Sequence, residues 1–416
     1  WTLEECVDYA IKNNISIKQS ELDLKTTDID KLEAIGGFLP TLNGNANYSM
    51  NTGASINPVT NQFQNETFKS MSASANSGIM LFNGLANWKT LQRAKLSKIA
   101  NSYRLDKMKD DIALSIANSY LQILFNKEQL KVQKNQNLIT KENIKRTQEL
   151  IQAGSLPAGD IYELQATDAS QEQQIVNTEN ALLIAKIGLC QTLLLEDYAN
   201  FDISDEVMDL PMTDMTNETQ ESILEKAKES VKDVKIAMAN VDVAKKDVAL
   251  SRSSYLPTLT GFLGYNTRWA ESIPFNFIDQ LTLFDGTAVG LQLNVPILNG
   301  FATRGRVQRA KINQERSEFQ LKQAELDLER NVYQAYNDVI NAKKSFEAAQ
   351  KTLEARKQSF NFSKERYEVG LMNSFDFSQS TIAYENAQSE VLRTKYDYLF
   401  RTKILEFYFG IPLVKK

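Results

Sequence analysis

The chain has 416 residues, with 47 basic and 52 acidic side chains and a formal net charge of −5. No run of lysine and arginine indicates a nucleic-acid groove, so nucleic acid is disfavoured as a partner. Histidine is absent, and with it the commonest general base and the commonest metal ligand. We therefore predict that the protein is not an enzyme and has no catalytic residue, cofactor or metal site.

The sequence repeats itself after 216 or 217 positions. A register that holds within one residue over several motifs indicates two copies of one structural unit, that is, an internal tandem repeat. The matching segments are Phe38-Leu39-Pro40-Thr41-Leu42 with Tyr255-Leu256-Pro257-Thr258-Leu259, Leu81-Phe82-Asn83-Gly84 with Ile297-Leu298-Asn299-Gly300, and Gln92-Arg93-Ala94-Lys95 with Gln308-Arg309-Ala310-Lys311.

Prolines and glycines at the junctions divide both copies into the same series of elements. The first copy, 1–195, is predicted to hold a helix at 3–35, strands at 39–51 and 71–82, a long helix at 88–153 and a helix at 160–195. A linker at 196–219 follows. The second copy, 220–416, has a helix at 220–253, strands at 256–269 and 287–297, a long helix at 301–369 and a helix at 376–409.

Each long helix would extend about 100 Å at 1.5 Å per residue, which exceeds an ordinary globular domain. The second one carries apolar residues at spacings of three and four, which indicates a coiled-coil seam with alanines that allow close contact. These residues are Leu321, Ala324, Leu328, Val332, Ala335, Val339, Ala342, Phe346, Ala349 and Leu353. The first long helix has a looser version of the pattern, from Leu105 to Ile123.

The four strand segments alternate between apolar and polar residues. From Leu42 to Asn51 one face carries Leu42 and Tyr48 and the other carries asparagine and serine, and from Val289 onwards Val289, Leu291 and Leu293 share a face. A soluble sandwich and a membrane barrel both show this alternation. Segments of about ten residues match a tilted strand that crosses the hydrocarbon layer, but four strands cannot close a membrane barrel. Oligomerisation would have to supply the remaining strands.

Cys6 and Cys190 are the two cysteines of the chain. They are too few for a zinc cluster and too far apart in sequence for a Cys-x-x-Cys pair. Two interpretations remain, buried packing residues or a disulfide.

The order helix, strand, loop, strand, long helix, sharp turn and helix, present twice, resembles the TolC family of outer-membrane efflux proteins. The Leu-Pro-Thr-Leu entries to the strands, the Asn-Gly exits and Val369-Gly370-Leu371 carry the resemblance, while Ala153-Gly154-Ser155-Leu156 departs from the family pattern. The resemblance implies a mixed α and β membrane protein, in which a homotrimer forms a 12-stranded transmembrane β-barrel and a long α-helical coiled-coil barrel. It also implies a passive exit duct in the outer membrane of a Gram-negative bacterium. This duct would extend into the periplasm and work with a periplasmic adaptor and an inner-membrane pump.

The same resemblance assigns roles to the turns between the long and returning helices. Adaptor contact is expected at Gly154, Ser155, Leu156, Gly370, Leu371 and Met372, although the two glycines are also ordinary helix C-caps. The periplasmic entrance is expected at Asp160, Tyr367, Phe375, Asp376 and Gln379. Gln379 stands where the family has a second acid, and both aspartates can act simply by complementing a helix dipole. Tyr367 could equally be a core residue, and Phe375 and Phe377 could either pack or narrow the entrance.

The strand faces give the last set of expected contacts. In a membrane barrel, Leu42, Tyr48, Val289, Leu291 and Leu293 would face lipid. The alternative function is a non-membrane coiled-coil structural or adhesion protein, whose strands would pack into an ordinary sandwich.

Overall fold

The computed structural model describes residues 1–56, 60–154, 156–204 and 218–411. Ser155 and most of the predicted linker, 205–217, therefore lie outside the described residues. The elements are α1 (Leu3–Asn13), α2 (Ile15–Gly36), β1 (Thr41–Ile56), β2 (Phe63–Asn83), α3 (Ala86–Gln152), α4 (Asp160–Leu193), α5 (Gln220–Ser230), α6 (Lys232–Ser253), β3 (Thr258–Ala270), α7 (Phe277–Leu283), β4 (Gly286–Asn294), α8 (Ala302–Glu368) and α9 (Ser374–Tyr408).

The single helices expected at 3–35 and 220–253 are each two helices. The first breaks at Asn14, whose extended ψ of 133° ends α1. The Asn14 side chain accepts a hydrogen bond from Ser16 N and donates one to Thr192 O, so it stabilises the start of α2. The second breaks at Val231, with ψ 131°. The two breaks are 217 positions apart, so they recur in the register of the repeat.

The four strands form one antiparallel sheet in the order β1-β2-β3-β4. The hairpin of β1 and β2 is longer than the predicted 39–51 and 71–82, because it continues until Ile56 pairs with Phe63. A hydroxyl pair within the added part supports this extension, with 3.0 Å between Thr52 Oγ1 and Thr67 Oγ1. Strand β4 ends at Asn294 rather than at 297, and Pro296 beyond it has no N–H to give to a ladder.

A short helix, α7, lies between the predicted strands 256–269 and 287–297, where the sequence indicates only a loop. Its organising residue is Gln280, which is completely buried. The Gln280 side chain accepts a hydrogen bond from Ala270 N at 2.9 Å and donates to Ile273 O and Phe275 O. One amide therefore fixes the loop to the end of β3.

The chain divides into two compact units that do not follow the repeat. The first consists of Trp1–Leu22, Tyr103–Lys235 and Gln323–Lys416, and the second of Asp23–Ser102 and Ile236–Lys322. The second, or sheet unit, holds the four strands, α7 and adjoining parts of α2, α3, α6 and α8. Within it, Arg93 of α3 pairs with Asp247 of α6 at 2.5 Å.

The first, or helical unit, contains a region that we call the apolar cluster. It holds both cysteines, which are completely buried and unpaired, so they are packing residues and not a disulfide. Burial raises the pKa of the Cys6 thiol to about 11. The members are Leu3, Cys6, Val7, Ala10, Ala113, Ile116, Ala117, Tyr120, Leu121, Ile123, Leu124, Leu189, Cys190, Leu193, Phe201, Ile203, Tyr396 and Leu399.

The two longest helices, α3 and α8, have 67 residues each. The coiled-coil seam that the sequence indicates on α8 is buried from Leu328 to Ala349. Among the described helices, none combines the length and the apolar character needed to cross a membrane.

Candidate functional site: the helix turns and the sheet faces

The turn after α8 requires its glycine. Gly370 has a φ of +74°, a left-handed conformation that is costly for residues with a Cβ. Its N–H donates to Tyr367 O at 3.1 Å, and Leu371 N donates to Arg366 O at 2.8 Å. These two bonds are the Schellman motif, which satisfies the last carbonyls of the helix.

The returning helix α9 begins two residues earlier than predicted, at Ser374, because Asn373 caps it. The Asn373 side chain accepts a hydrogen bond from Asp376 N at 2.8 Å and donates one to the Asp376 carboxylate at 3.0 Å. Asp376 thus has the helix-stabilising role that a first-turn acid can provide.

In the turn of the first copy the glycine has the same left-handed conformation, but the returning helix has a different cap. Gly154 has a φ of +73°, and its N–H donates to Ile151 O at 3.0 Å. Helix α4 starts at Asp160, and Gly159 before it offers no side-chain cap. The first copy therefore lacks the reciprocal bonds that Asn373 and Asp376 make in the second.

The two turns are brought together on one small core of Leu164, Tyr367 and Phe377. Leu156 from the first turn and Met372 from the second, residues 216 positions apart in the repeat, both pack against it half-buried. This placement separates them from Leu371, which is 70% exposed. Leu371 is thus the apolar side chain of the second turn that is most available to a partner.

The proposed entrance residues fall into two groups. Tyr367 is buried and stacks on Phe377 with 4.6 Å between ring centroids and 3° between planes. Its hydroxyl lies 2.8 Å from Thr147 Oγ1. Burial raises the pKa of the Tyr367 phenol, the Thr147 contact opposes that shift, and the charge of Asp160 adds to it. Phe375, by contrast, is 57% exposed.

The structure thus separates the alternatives for the two phenylalanines and places Gln379 at the surface. Phe377 packs inside the helical unit, and Phe375 points away from that core. Phe360 of α8 and Tyr384 of α9 extend the stack, with 6.0 Å from Phe360 to Phe377 and 5.1 Å from Phe360 to Tyr384. Both pairs, 360 with 367 and 377 with 384, are seven residues apart, a signal that the sequence carried and that aromatic spacing could have identified.

Polar side chains connect the helices between these turns and the apolar cluster, and we call them the polar layer. Helix α3 is joined to α9 by bonds from Gln129 to Ser389 and from Gln136 to Gln388. Further bonds of this layer join Asn137 to Asp168 and Gln171, Gln171 to Glu385, Thr167 to Ser378, and Thr147 to Tyr367. Of the residues in this layer, only Tyr367 was predicted from the sequence to have a role.

The sheet has two chemically different faces. The register places Leu42 opposite Ser77, Ser77 opposite Leu263, and Leu263 opposite Val289, so Leu42 and Val289 share a face. Tyr48, Leu291 and Leu293 lie on that same face, and all five side chains are exposed. The opposite face carries Asn43, Asn45, Asn47, Ser72, Ser74, Asn76, Asn266, Arg268, Gln292 and Asn294.

An antiparallel sheet with one exposed apolar face and one polar face, joined to very long helices in a tandem repeat, is the arrangement expected of a membrane β-barrel protein with a helical extension. The sequence profile of the family described as outer membrane efflux protein matches residues 6–193 and 223–410. The chain therefore belongs to the outer membrane efflux protein family.

Individual relatives agree with this assignment. The chain is 22% identical over 316 residues to the outer membrane protein TolC of Vibrio cholerae, covering 76% of this chain and 71% of that protein. It is 21% identical over 315 residues to the proteases secretion protein PrtF of Dickeya chrysanthemi, covering 76% and 67%. Among solved structures, the CmeC outer membrane channel of Campylobacter jejuni matches with a TM-score of 0.85 at 17% identity, over 98% of this chain and 85% of that chain.

The outer membrane protein VceC of Vibrio cholerae has the same fold, with a TM-score of 0.83 at 13% identity over 98% and 96% of the two chains. The protein is thus an outer-membrane exit channel for efflux or secretion that extends into the periplasm. The non-membrane structural or adhesion function is wrong. The relatives are channel and secretion proteins rather than enzymes.

Proposed function

We propose that three copies of this chain form one duct, a passive conduit that carries out no chemistry. A periplasmic adaptor binds at the helix turns and links the duct to an inner-membrane pump. The observation that carries this proposal is the open sheet, in which β1 and β4 each pair with one neighbour. Hydrocarbon does not tolerate such unpaired strand edges.

Each chain contributes four strands, so an oligomer of this chain has a multiple of four strands. Bacterial membrane barrels have even strand numbers from eight upwards, so four strands are too few. The family resemblance favours three copies and twelve strands. The apolar face with Leu42, Tyr48, Val289, Leu291 and Leu293 then contacts lipid, and the asparagine- and serine-rich face lines the aqueous lumen.

The helices that continue from the two edge strands also carry uncovered apolar seams. Helix α2, which leads into β1, exposes Ile15, Leu22 and Ile29, and α8, which follows β4, exposes Ile312, Phe319 and Leu326. Both sets repeat every seven residues, the period of coiled-coil contacts. Pairing of α2 with α8 of a neighbouring chain would cover both seams.

The turns at Gly154 and Gly370 support adaptor docking. Leu371 and Val369 are about 70% exposed next to a rigid Schellman turn, and they are apolar. An exposed apolar group on a fixed backbone suits recognition by a protein partner. Leu156 and Met372 anchor the two turns, because both pack against the core of Leu164, Tyr367 and Phe377. Ser155 lies outside the described residues.

Asp160 and Asp376 act at the periplasmic entrance in this proposal. Three copies place six carboxylates at the ends of α4 and α9, and such rings attract cations. Tyr367 of α8 contacts Thr147 of α3 and Phe377 of α9, so it holds these three helices together next to the carboxylates. Exposed Phe375 narrows the opening. Gln379 adds no charge, so the ring has only these aspartates.

The mass of the intact protein in detergent tests the assembly. We expect native mass spectrometry to give three chains, since a single chain exposes two sheet edges and two seams. A stable folded monomer inserted in bilayers would contradict the proposal, and two chains would correct the barrel to eight strands.

A matched pair of substitutions tests the sheet faces. Leu291→Arg should destabilise the barrel in lipid by about 2–4 kcal/mol, because it places a charge in hydrocarbon. Gln292→Arg, one residue further on the opposite face, should be tolerated. Equal losses for the two variants, measured as unfolding free energies in bilayers, would contradict the assigned faces.

Gly370→Val tests the turn. A β-branched residue resists the left-handed conformation, so the turn should rearrange and adaptor-dependent export in cells should fall. The trimer should remain assembled, because the sheet and the seams are distant in sequence from the turn. Normal export would remove this turn from adaptor docking.

A further inference from the structure

A cavity of about 140 Å³ lies within the helical unit, between α3, α8 and α9. Val132 and Ile139 of α3 and the ring of Phe360 form its apolar walls. The ring of Tyr384 stacks on Phe360 at 5.1 Å with 13° between the planes. At about 30 Å³ for each water, the space admits four or five waters, or one small organic group of that size.

Glu385 also lines this cavity, and it has no counter-ion among the described residues. Gln171 Nε2 donates to Glu385 Oε1 at 2.7 Å. Within the described residues no other hydrogen bond and no cationic side chain reaches this carboxylate. A largely buried carboxylate without a cation is costly, since desolvation is not repaid by attraction. A bound proton or a bound cation would each remove part of that cost.

The surroundings of Glu385 contribute no charge of their own. The residues that face it are Tyr384 of α9, Asn135 of α3, Phe360 of α8 and Gln171 of α4. Burial raises the pKa of Glu385 to about 7, and the hydrogen bond from Gln171 offsets part of this shift. Glu385 consequently changes charge near neutral pH.

An anionic oxygen beside aromatic rings is an arrangement that recognises ammonium groups. We propose that this cavity, which Glu385, Phe360 and Tyr384 line, binds a small organic cation, a quaternary ammonium or protonated amine. A divalent metal would find a single carboxylate there, and the described residues contain no cluster of acids that could hold one. All the lining residues belong to the helical unit of a single chain.

Tetramethylammonium and tert-butanol are suitable probes, because they have similar shapes and differ in charge. Saturation-transfer NMR on the full chain in detergent should show binding of tetramethylammonium and little of tert-butanol. Between pH 6 and pH 8 the affinity for tetramethylammonium should rise about tenfold, since the charged fraction of a group with a pKa of about 7 rises by that factor.

Glu385→Gln keeps the size of the side chain and its bond with Gln171 but removes the charge. It should weaken tetramethylammonium binding by about tenfold or more and abolish the pH dependence. Glu365→Gln, at an exposed acid of α8, is the control and should bind as the parent protein does.

Phe360→Leu tests the aromatic wall without touching the acid. It should weaken tetramethylammonium binding several-fold and leave the weak tert-butanol signal unchanged. Equal binding of both probes to the parent protein would overturn the proposal, as would undiminished tetramethylammonium binding by Glu385→Gln. If Glu385→Gln does not fold, undiminished binding by Phe360→Leu has the same consequence.

Discussion

The apolar cluster and the polar layer occupy the same helices and are held together differently. In the cluster Ile116, Ile123, Leu193 and Leu189 are completely buried among apolar neighbours. In the polar layer the same helices α3, α4 and α9 contact each other through amides and hydroxyls. Helix geometry is continuous between the two, so the difference lies in the side chains alone.

The difference teaches where the helical unit can change shape. Burial of apolar side chains is lost as soon as helices separate, and each large residue contributes about 1.5–3 kcal/mol. A hydrogen bond contributes about 1 kcal/mol net, because water or another amide can replace the partner. We therefore expect the cluster to hold the helices in one arrangement and the polar layer to exchange partners when the turns move.

The largest effect should come from a cavity in the cluster. Ile123→Ala is expected to cost about 2–5 kcal/mol of unfolding free energy, since a completely buried side chain is truncated. Thr147→Val in the polar layer keeps the shape and removes one hydroxyl, so it should cost about 1–2 kcal/mol. Denaturation in detergent followed by circular dichroism measures both, and similar costs would contradict the comparison.

The second effect depends on pH and belongs to Glu385. Its pKa is raised from 4.5 to about 7 in the folded protein, so the folded state holds a proton that the unfolded state has released in that interval. The stability should therefore fall as pH rises from about 4.5 to about 7, and stay level above it. Glu385→Gln should lose this dependence and gain about 1–3 kcal/mol relative to the parent protein at pH 8. A parallel pH dependence in the two proteins would show that Glu385 is not the group responsible.

The smallest effect on stability should come from the turns themselves. Replacing both Asp160 and Asp376 by asparagine removes negative charge from the first turns of α4 and α9. The free energy of unfolding should fall by less than about 1 kcal/mol. The same double variant should lose cation preference in single-channel recordings, because the proposed entrance loses all six carboxylates. Unchanged selectivity would remove the two aspartates from the entrance.

The sequence predicted the strands, the long helices and the turns because each has a periodic or local signal. On α3 the heptad of Ile116, Ile123 and Leu130 reaches Asn137, an amide, before it returns to an apolar residue at Ile144. The apolar pattern is therefore interrupted at the polar layer although the contacts continue. Helix α7 was missed for a related reason, since one buried glutamine organises it and no period marks it.

One sheet contains strands from both repeats, so the order of synthesis constrains the order in which the strands can pair. The hairpin of β1 and β2 comes entirely from the first copy, but β2 pairs with β3 of the second, from Ser70 with Ala270 to Asn83 with Thr258. Between 175 and 200 positions separate these partners, so the loop that must close is long and the pairing has a high contact order. The edge of β2 that will pair with β3 must therefore remain unpaired until the second repeat of the same chain has been synthesised. Such an unpaired strand edge is prone to aggregation.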